Sequence, residues 1–415
     1  MKKYTHLIIG SALSLFMLSS CSKDNDAPKT EQIKLGLTVS EDDIEKGNTV
    51  TFGITANVEA VTNAEIYIDE QPITGLEHTF SDKGSYTVVA KKSGYTASDP
   101  VTINVYQTDI YAAGHEYSSS RSTYIAKYWK NGKAVLLSDG GQNEYAHSIF
   151  VTDDSDVYIC GRAVSIARYW ANNAPMDLPT STTAQAIKVY NNTVYIVGRE
   201  WNGSTHFAKL WTDGNVTTLN NGLGFSVASD VFINENDVYV SGKQDNGNFY
   251  QPVYWKNGVL QILGNGITIG SAESIYVVED DVYVAGNEFN GSTNVAKYWK
   301  NGVPHILTNG SNNAIANDIF VDQTDVYVVG RETISPRSTA IVWKNDNREN
   351  LTNGNNDAIA NSVYVMDGDV YVGGFEVING LRVATYWKNG VPVRLSVSDP
   401  ANSTEVTSIF IKKQY

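Results

Sequence analysis

Cysteine is almost absent from this chain, which has only Cys21 and Cys160 in 415 residues. Two cysteines allow at most one disulfide, so the chain is not a small disulfide-stapled domain. Cys160 lies in the apolar run VYICG, which favours a small buried side chain in a strand over a reactive thiol. Stability must therefore come from packing and hydrogen bonds.

The short motifs of common catalytic sites are also missing. There is no H-E-x-x-H, no G-x-S-x-G, no phosphate-binding glycine loop and no pair of C-x-x-C elements. We therefore expect no metal and no cofactor, and binding is favoured over catalysis, although a missing motif does not exclude an enzyme. Basic residues are outnumbered, because 31 Lys and Arg face 45 Asp and Glu for a net charge of -14. This balance argues against a nucleic-acid partner.

The single long apolar run, LIIGSALSLFML, follows Lys2 and Lys3 and is typical of an export signal over residues 1–20. It ends in Leu18-Ser19-Ser20-Cys21, which resembles the bacterial lipobox. That resemblance implies a lipid on Cys21, which would attach the mature protein to a membrane. Residues 21–32 are polar, which predicts a flexible tether.

The acidic stretch Lys23-Asp24-Asn25-Asp26 is similar to the surface-export signals of Bacteroidetes lipoproteins. The resemblance implies an outer-membrane lipoprotein displayed at the cell surface. A solvated spacer, with the protein facing the periplasm, stays open as the alternative.

Residues 33–106 consist of short alternating runs separated by Gly, Asn and Asp, the pattern of a small antiparallel β-sandwich. The segment GSYTVVAKKSGY resembles the late hairpin of Ig-like and PKD-like modules. The Cys and Trp pairing of antibody domains is absent. We expect this module to act as a spacer.

From residue 107 to 415 the chain is a repeat, best seen in the stretch from Asp281 to Leu307, DVYVAGNEFNGSTNVAKYWKNGVPHIL. Each copy has a strand closed by a glycine and a tryptophan in the next strand. The glycines are Gly114, Gly161, Gly198, Gly242, Gly286, Gly330 and Gly374, and the tryptophans are Trp129, Trp170, Trp211, Trp255, Trp299, Trp343 and Trp387. The last four glycine intervals are 44 residues, the period of a four-stranded propeller blade.

The repeat begins in the second strand of one copy, at DIYAAG, and ends in TSIFIKKQY, which matches a first strand. The C-terminal strand therefore supplies what the first copy lacks and should close a ring. The predicted fold is all-β: an Ig-like sandwich followed by a seven-bladed β-propeller, closed by pairing of the C-terminal strand with the first blade. An open β-solenoid is the main alternative.

The run A-K-Y-W-K-N-G, followed by Leu and an Ala-rich strand, resembles the W-x-N-G repeats of secreted bacterial HAF-type proteins. The resemblance covers residues 109–415 and implies a propeller fold and an extracellular habitat. Its motifs are structural, so it implies no reaction.

In a four-stranded meander, the loops joining strands two and three lie on the same face as those joining consecutive blades. These loops are long and varied here, whereas the opposite connections are tight, so the long-loop face is the expected binding face. Its aromatic side chains are candidates for stacking on sugars or for a protein partner. The candidates are Tyr117, Tyr145, Trp201, Phe249, Tyr250, Phe289 and Phe375, with Phe225 nearby.

Two further groups recur along the chain. His147, Asp230, Glu273 and Asp318 begin innermost strands and should approach the channel mouth, where they could bind a cation, act as acid and base, or be hydrogen-bonded lining. Acids that follow the strand-closing glycine, among them Glu116, Glu200 and Glu288, should pair across strands with Lys127, Lys209 and Lys297.

The sequence as a whole predicts a monomeric, lipid-anchored binding protein whose ligand is a glycan or a surface protein. The alternatives are a polysaccharide hydrolase or lyase with its site at the channel mouth, and a structural or adhesion component.

Overall fold

The computed structural model describes residues 32–179, 182–219, 224–264, 268–334 and 336–415. Every regular element in these ranges is a β-strand, which confirms the all-β prediction. No helix in them is long and apolar enough to cross a membrane. The expected signal peptide, Cys21 and all of the tether except Gln32 lie outside the described residues.

The chain divides into two compact units, one of Met1–Thr108 with Lys413–Tyr415 and the other of Asp109–Lys412. The strands of the first unit are β1 (Gly36–Val39), β2 (Asp43–Glu45), β3 (Thr49–Ala56), β4 (Glu59–Ala60), β5 (Glu65–Ile68), β6 (Gln71–Ile73), β7 (Glu77–Thr79), β8 (Gly84–Lys91) and the first part of β9 (Val101–Ser118).

Two sheets of the first unit share one hydrophobic core. β3 pairs with β1, β4 and β7, while β8 pairs with β5 and β9. Phe52, Ile66 and Val105 are buried in the common core, as the alternation of apolar residues predicts. The alternation does not predict that β2 pairs with β9 in parallel, at Asp43 to Glu45.

The second unit contains six separate sheets of four strands. They are β12–β15 (Glu144–Val151, Val157–Ala163, Ile166–Ala171, Ala174–Asp177), β16–β19 (Thr183–Tyr190, Thr193–Trp201, His206–Thr212, Asn215–Thr218), β20–β23 (Ser226–Asn234, Asp237–Asp245, Tyr250–Lys256, Val259–Ile262), β24–β27 (Gly270–Val278, Asp281–Phe289, Asn294–Lys300, Val303–Ile306), β28–β31 (Asn313–Asp322, Asp325–Ile334, Arg337–Lys344, Asn347–Asn350) and β32–β35 (Ala358–Met366, Asp369–Ile378, Leu381–Lys388, Val391–Arg394). In each sheet the spatial order equals the sequence order, so every sheet is an antiparallel meander.

Four further strands of the second unit continue this pattern. The later residues of β9 pair with β10 (Thr123–Lys130), which pairs with β11 (Lys133–Leu136), and β36 (Ser403–Gln414) pairs with β9 on its other side. First strands of consecutive sheets contact one another from β12 to β32. This arrangement of radial four-stranded meanders is that of a β-propeller.

The repeated tryptophans are buried between neighbouring sheets, with at most 1% of any of the seven exposed. Trp343, for example, shares a hydrophobic cluster with Ala285 and Tyr298 of the preceding sheet. Burial of such large side chains is the main favourable term in joining the sheets.

Cys160 is likewise fully buried in a cluster with Trp211, which confirms its packing role. Burial raises the pKa of its thiol.

Candidate ligand-binding face and channel

The loops on the long-loop face are built around asparagine side chains. The Asn290 side-chain oxygen accepts hydrogen bonds from the backbone N–H groups of Ser292 and Thr293, at 2.9 and 2.8 Å. Asn202 and Asn246 make the same paired contacts in the two preceding sheets. These amide oxygens therefore shape the loops, in the manner of Asx turns.

The two kinds of long loop meet on this face, as the meander topology predicts. Thr293, in the loop between β25 and β26, donates from its hydroxyl to the carbonyl of Gly310 at 2.7 Å, and Gly310 lies in the loop leading to the next sheet. Thr123 makes the matching contact with Gly140 at 2.9 Å. The face is thus formed by loops that support one another.

One group of aromatic rings on this face spans two neighbouring sheets. Trp201, Phe249 and Tyr250 are exposed by 50%, 38% and 44%. Trp201 lies 5.0 Å from the His206 ring, which lies 5.9 Å from Phe225, and Phe225 lies 4.8 Å from Tyr250, all between ring centroids. Of the predicted face residues, these form the most accessible apolar surface.

A second group contains Tyr117 and Tyr145, joined by Tyr124, which sequence reasoning missed. Tyr124 lies 5.1 Å from Tyr117 and 4.7 Å from Tyr145, between ring centroids. The guanidinium of Arg162 lies 4.3 Å from the centroid of the Tyr145 ring. This group is half-buried, so it offers less ring surface than the first.

The remaining two predicted rings differ from each other. Phe289 is half-buried and occupies the same place in its sheet as Trp201, three residues after the strand-closing glycine. Phe375 is only 4% exposed, so the prediction that its ring is exposed is wrong. The Arg382 guanidinium covers it at 4.6 Å from the ring centroid.

The first strands enclose a cavity of about 160 Å³, lined by all four predicted channel-mouth residues. Two of them are acids joined by a serine: the Ser274 hydroxyl lies 2.8 Å from an Asp230 oxygen and 2.6 Å from an Asp318 oxygen. Backbone N–H groups also donate to both carboxylates, from Ile275 to Asp230 at 3.1 Å and from Val363 to Asp318 at 2.8 Å. Each carboxylate thus links its own strand to the next sheet.

Burial and the neighbouring Asp230 raise the pKa of Asp318 to about 6. The Ser274 hydroxyl has one proton, so it can donate to only one of the two carboxyl groups. When it donates to Asp230, a protonated Asp318 can donate to the Ser274 oxygen, and both contacts are then hydrogen bonds. No group of three or more His, Cys, Asp or Glu side chains suited to a metal ion occurs within the described ranges.

His147 also links sheets. Its Nδ1 lies 2.8 Å from the carbonyl of Ala184. Asn317, Asn361 and Thr407 occupy the equivalent bulged position and donate to the next sheet at 2.8, 2.7 and 3.0 Å. Burial lowers the pKa of His147 to about 4, so a neutral imidazole donating through Nδ1–H fits this contact.

The fourth predicted residue, Glu273, accepts a hydrogen bond from the Ser271 hydroxyl. Hydrogen-bonded lining therefore describes these four residues better than an open acid and base pair.

An aromatic collar lines the channel below this cavity. It consists of Phe150, Phe232, Tyr276, Phe320, Tyr364 and Phe410, with Lys188 at the equivalent position of β16. Neighbouring centroids are 4.8 to 5.1 Å apart from Phe232 through Tyr276, Phe320, Tyr364 and Phe410 to Phe150. Lys188 lies 5.8 Å from the Phe150 centroid. Sequence reasoning missed the collar, whose signal is the aromatic residue in IFVTD, VFINE, IYVVE, IFVDQ, VYVMD and IFIKK.

The predicted acid and lysine pairs form. Lys127 and Glu116 are both fully buried and bonded, and Lys209–Glu200 and Lys297–Glu288 lie 2.7 and 2.6 Å apart. The Glu116 carboxylate also accepts from Asn402 and from the Ser398 backbone at 3.1 Å, and its bond to Lys127 helps to lower its pKa against the effect of burial. A recurring, satisfied pair of this kind is structural.

No protein-family model matches the chain. No curated protein matches it either.

Among solved structures it is similar to TolB from Acinetobacter baumannii, with 9% identity and a TM-score of 0.43 over 90% of this chain and 99% of that one. It is also similar to auxiliary nutrient binding proteins from Bacteroides thetaiotaomicron (8% identity, TM-score 0.33, 92% of this chain and 95% of that one) and Bacteroides ovatus (11%, 0.31, 92% and 91%). At these identities the likeness describes architecture, and no ligand or activity is carried over from it.

Proposed function

We propose that this chain is a lipid-anchored binding protein of the cell envelope, without catalysis, and that its long-loop face binds a glycan. The observation that carries the proposal is the exposed aromatic group of Trp201, Phe249 and Tyr250. These rings flank loops that are held in place by Asx turns. The Trp201 backbone N–H also donates to the Thr182 hydroxyl at 2.9 Å. Rigid, exposed rings bind the apolar faces of sugars at little entropic cost.

The channel supports binding rather than hydrolysis or elimination. Asp230 and Asp318 accept backbone N–H groups and are bridged by Ser274. Their oxygens are engaged in these hydrogen bonds, whereas a glycosidase presents two carboxyl groups to its substrate.

The aromatic group is tested by binding measurements on the double variant Trp201→Ala, Tyr250→Ala across a panel of neutral oligosaccharides. We expect at least a tenfold loss of affinity, because stacking on each exposed ring contributes about 1 kcal/mol. A matched control is Tyr190→Ala, an exposed ring on the tight-loop side. Equal affinity of the double variant and the parent protein would refute the glycan site.

Two other outcomes lead to other functions. Release of reducing sugar or of an unsaturated product by the parent protein would identify a hydrolase or lyase. A blank glycan panel, combined with capture of surface proteins that is lost in the double variant, would identify an adhesion component.

We further propose a closed ring of seven blades, in which β36, β9, β10 and β11 form one blade beside the six separate sheets. Hydrogen bonds of β36 support closure on both sides, since Ser408 accepts from the Ile149 backbone at 3.3 Å and Ser362 accepts from Ile409 at 3.2 Å. The first unit is proposed to be an Ig-like spacer, and its two sheets around a single core support this assignment.

The proposed lipid anchor is on Cys21, with the protein at the outer surface of the outer membrane. A Cys21→Ala variant should move from the membrane fraction to the soluble fraction, and protease treatment of intact cells should remove the anchored parent protein. Retention of the variant in the membrane would contradict the anchor. Protection from the protease would instead indicate a periplasmic orientation.

A further inference from the structure

Basic side chains gather at the channel mouth of this acidic protein. The residue after the strand-closing glycine is basic in four sheets, at Arg162, Arg199, Lys243 and Arg331. Each pairs with the first-strand residue two places before the channel-lining bulge: Tyr145, Thr183, Val227 and Ile315. The equivalent register brings the four cations to the same level around the mouth.

Among the residues that the structure describes, no acid lies at ion-pair distance from any of these four cations. The arginines that form ion pairs in the described ranges are Arg168, Arg348 and Arg382, and Arg162, Arg199 and Arg331 are not among them. Three nearby acids pair with other cations, namely Glu144 with Arg168, Glu200 with Lys209 and Glu405 with Arg382. Glu273 accepts from the Ser271 hydroxyl and attracts Arg331 from beyond ion-pair distance.

Arg199 has a hydrogen-bond donor that no described residue satisfies. Its Nε is buried and has no hydrogen-bond partner among the described atoms. A buried, unpaired donor on a charged group is costly, and a bound anion is one of the arrangements that satisfies it.

Repulsion between positive charges contributes to the lowered pKa values of groups at the mouth. Burial and then Arg162 lower the pKa of the Arg199 guanidinium. Arg162 and Arg199 also help burial to lower the pKa of His147. Arg331 experiences both the attraction of Glu273 and the repulsion of Arg382, with burial as the larger effect. The mouth between Arg162 and Arg199 is thus a partly desolvated positive site.

We propose that the channel mouth binds an oxyanion between Arg162 and Arg199, as a carboxylate, sulfate or phosphate group, with Lys243 and Arg331 completing the positive rim. Guanidinium groups bind such oxygens through two parallel N–H bonds, and the Tyr145 ring holds the Arg162 guanidinium in place at 4.3 Å. The positive rim adjoins the exposed aromatic group, because the Lys243 Nζ lies 5.9 Å from the Phe225 ring centroid. The anion does not have to belong to a glycan.

The test is calorimetric titration of the full chain with sodium sulfate, sodium phosphate and sodium glucuronate, at constant ionic strength set by sodium chloride. Glucose serves as the neutral control for glucuronate. We expect saturable binding of at least one oxyanion and none of glucose. Preference for inorganic anions indicates a free ion as ligand, whereas preference for glucuronate indicates an acidic sugar.

Arg199→Gln should weaken this binding at least about tenfold, because one charge-assisted contact is lost. It should leave the thermal midpoint of the anion-free protein unchanged or higher, since it removes a repelled, unpaired cation. Arg162→Gln provides a second, independent variant. Arg394→Gln, on the exposed outermost strand β35, is the matched control and should bind as the parent does.

Absence of saturable oxyanion binding by the folded parent protein would overturn the proposal. So would unchanged oxyanion affinity in both Arg162→Gln and Arg199→Gln. Loss of oxyanion binding with intact binding of neutral glycans, or the reverse, separates this site from the aromatic one.

Discussion

At the residue scale, the Asp, Lys and Asn that recur together in five copies have one shared structural role. In the sheet β24–β27, Asp281 begins the second strand and accepts from Lys300 and from the Asn301 side chain, both at 2.7 Å. The Asn301 oxygen in turn accepts from the Val282 backbone at 2.8 Å. Asn301 also has a positive φ of 51° that starts the tight turn. These residues recur because they hold the hairpin end of the sheet together.

Asp318 should make stability depend on pH in an unusual direction. Its pKa in the folded protein is about 6, above its ordinary value near 4, so between these pH values the folded protein keeps a proton that the unfolded chain has released. This contribution is complete at low pH and is lost as pH rises through about 6. Relative to Asp318→Asn, the parent should lose on the order of 2 kcal/mol of unfolding free energy between pH 4 and pH 7.

Urea unfolding of the parent and of Asp318→Asn at pH 4, 5, 6 and 7 measures this difference. His147 has a lowered pKa of about 4 and therefore acts in the opposite direction, with stability lost as pH falls. Because His147 is present in both proteins, its effect cancels in the difference. Parallel stability curves for the two proteins would show that Asp318 does not hold the proton.

At the element scale, the strand-closing glycine is needed because the first strand has a bulge beside it. Each first strand shifts register next to this glycine, as between Ala360 and Ser362 in β32. The shift brings a backbone carbonyl so close that a Cβ on Gly374 would lie 2.0 Å from the oxygen of Ile359. Only glycine fits there, and the bulge turns the following side chains toward the channel.

The adjacent residues Gly374 and Gly373 allow a matched comparison. Gly374→Ala should cost about 3 kcal/mol or more, because a backbone oxygen must move. A Cβ on Gly373 would instead meet the side chain of Val406 at 2.7 Å, and Ala113 and Ala285 occupy this position in other sheets. Gly373→Ala should therefore cost less than Gly374→Ala, about 1 to 2 kcal/mol, because a side chain rather than a backbone oxygen must move. Chemical denaturation of both variants decides the matter, and equal costs would argue against the backbone clash.

Sequence reasoning predicts the strands well and the side-chain directions less well. The Val-Tyr-Val runs, the tryptophans and the Asn-Gly turns specify local structure, so all-β architecture follows from them. The position of Phe375 beside a loop predicts an exposed ring, yet the Arg382 guanidinium covers this ring and leaves it 4% exposed. The pattern of a single strand does not show which side chain of the next strand will cover a ring.

The channel residues show a second limit of the sequence. His147 and Asp318 have the chemistry of catalytic groups, but each is hydrogen-bonded to a neighbouring sheet that is distant in sequence. The aromatic collar and the cation rim arise in the same way. Each appears only when equivalent positions of several sheets are superposed, which a single copy does not reveal.

At the scale of the whole molecule, β36 connects the two ends of the second unit. Val406 packs with Ala112 and Trp129, while Ile409 and Ile411 pack with Tyr371. The Thr407 hydroxyl lies 3.1 Å from the carbonyl of Ala113 and 3.0 Å from that of Ala146. Unlike an open repeat array, the unit therefore has both of its ends occupied.

Deletion of residues 403–415 should destabilise the unit by about 5 kcal/mol or more, since three fully buried aliphatic side chains are lost and Trp129 is uncovered. Deletion of residues 413–415 alone is the control and should retain the unfolding transition of the second unit. Urea unfolding followed by tryptophan fluorescence measures both. An unchanged midpoint after the longer deletion would show that the sheets are stable without closure.

The place of β36 also bears on how the protein is made. The hydrogen bond from Thr407 to Ala113 spans 294 residues, so β36, the partner of β9, is synthesised long after β9 itself. Until then the edge of β9 stays open to other chains. Synthesis of β36 is therefore the event that covers this edge, and a chain stalled before β36 carries an unpaired edge that invites aggregation.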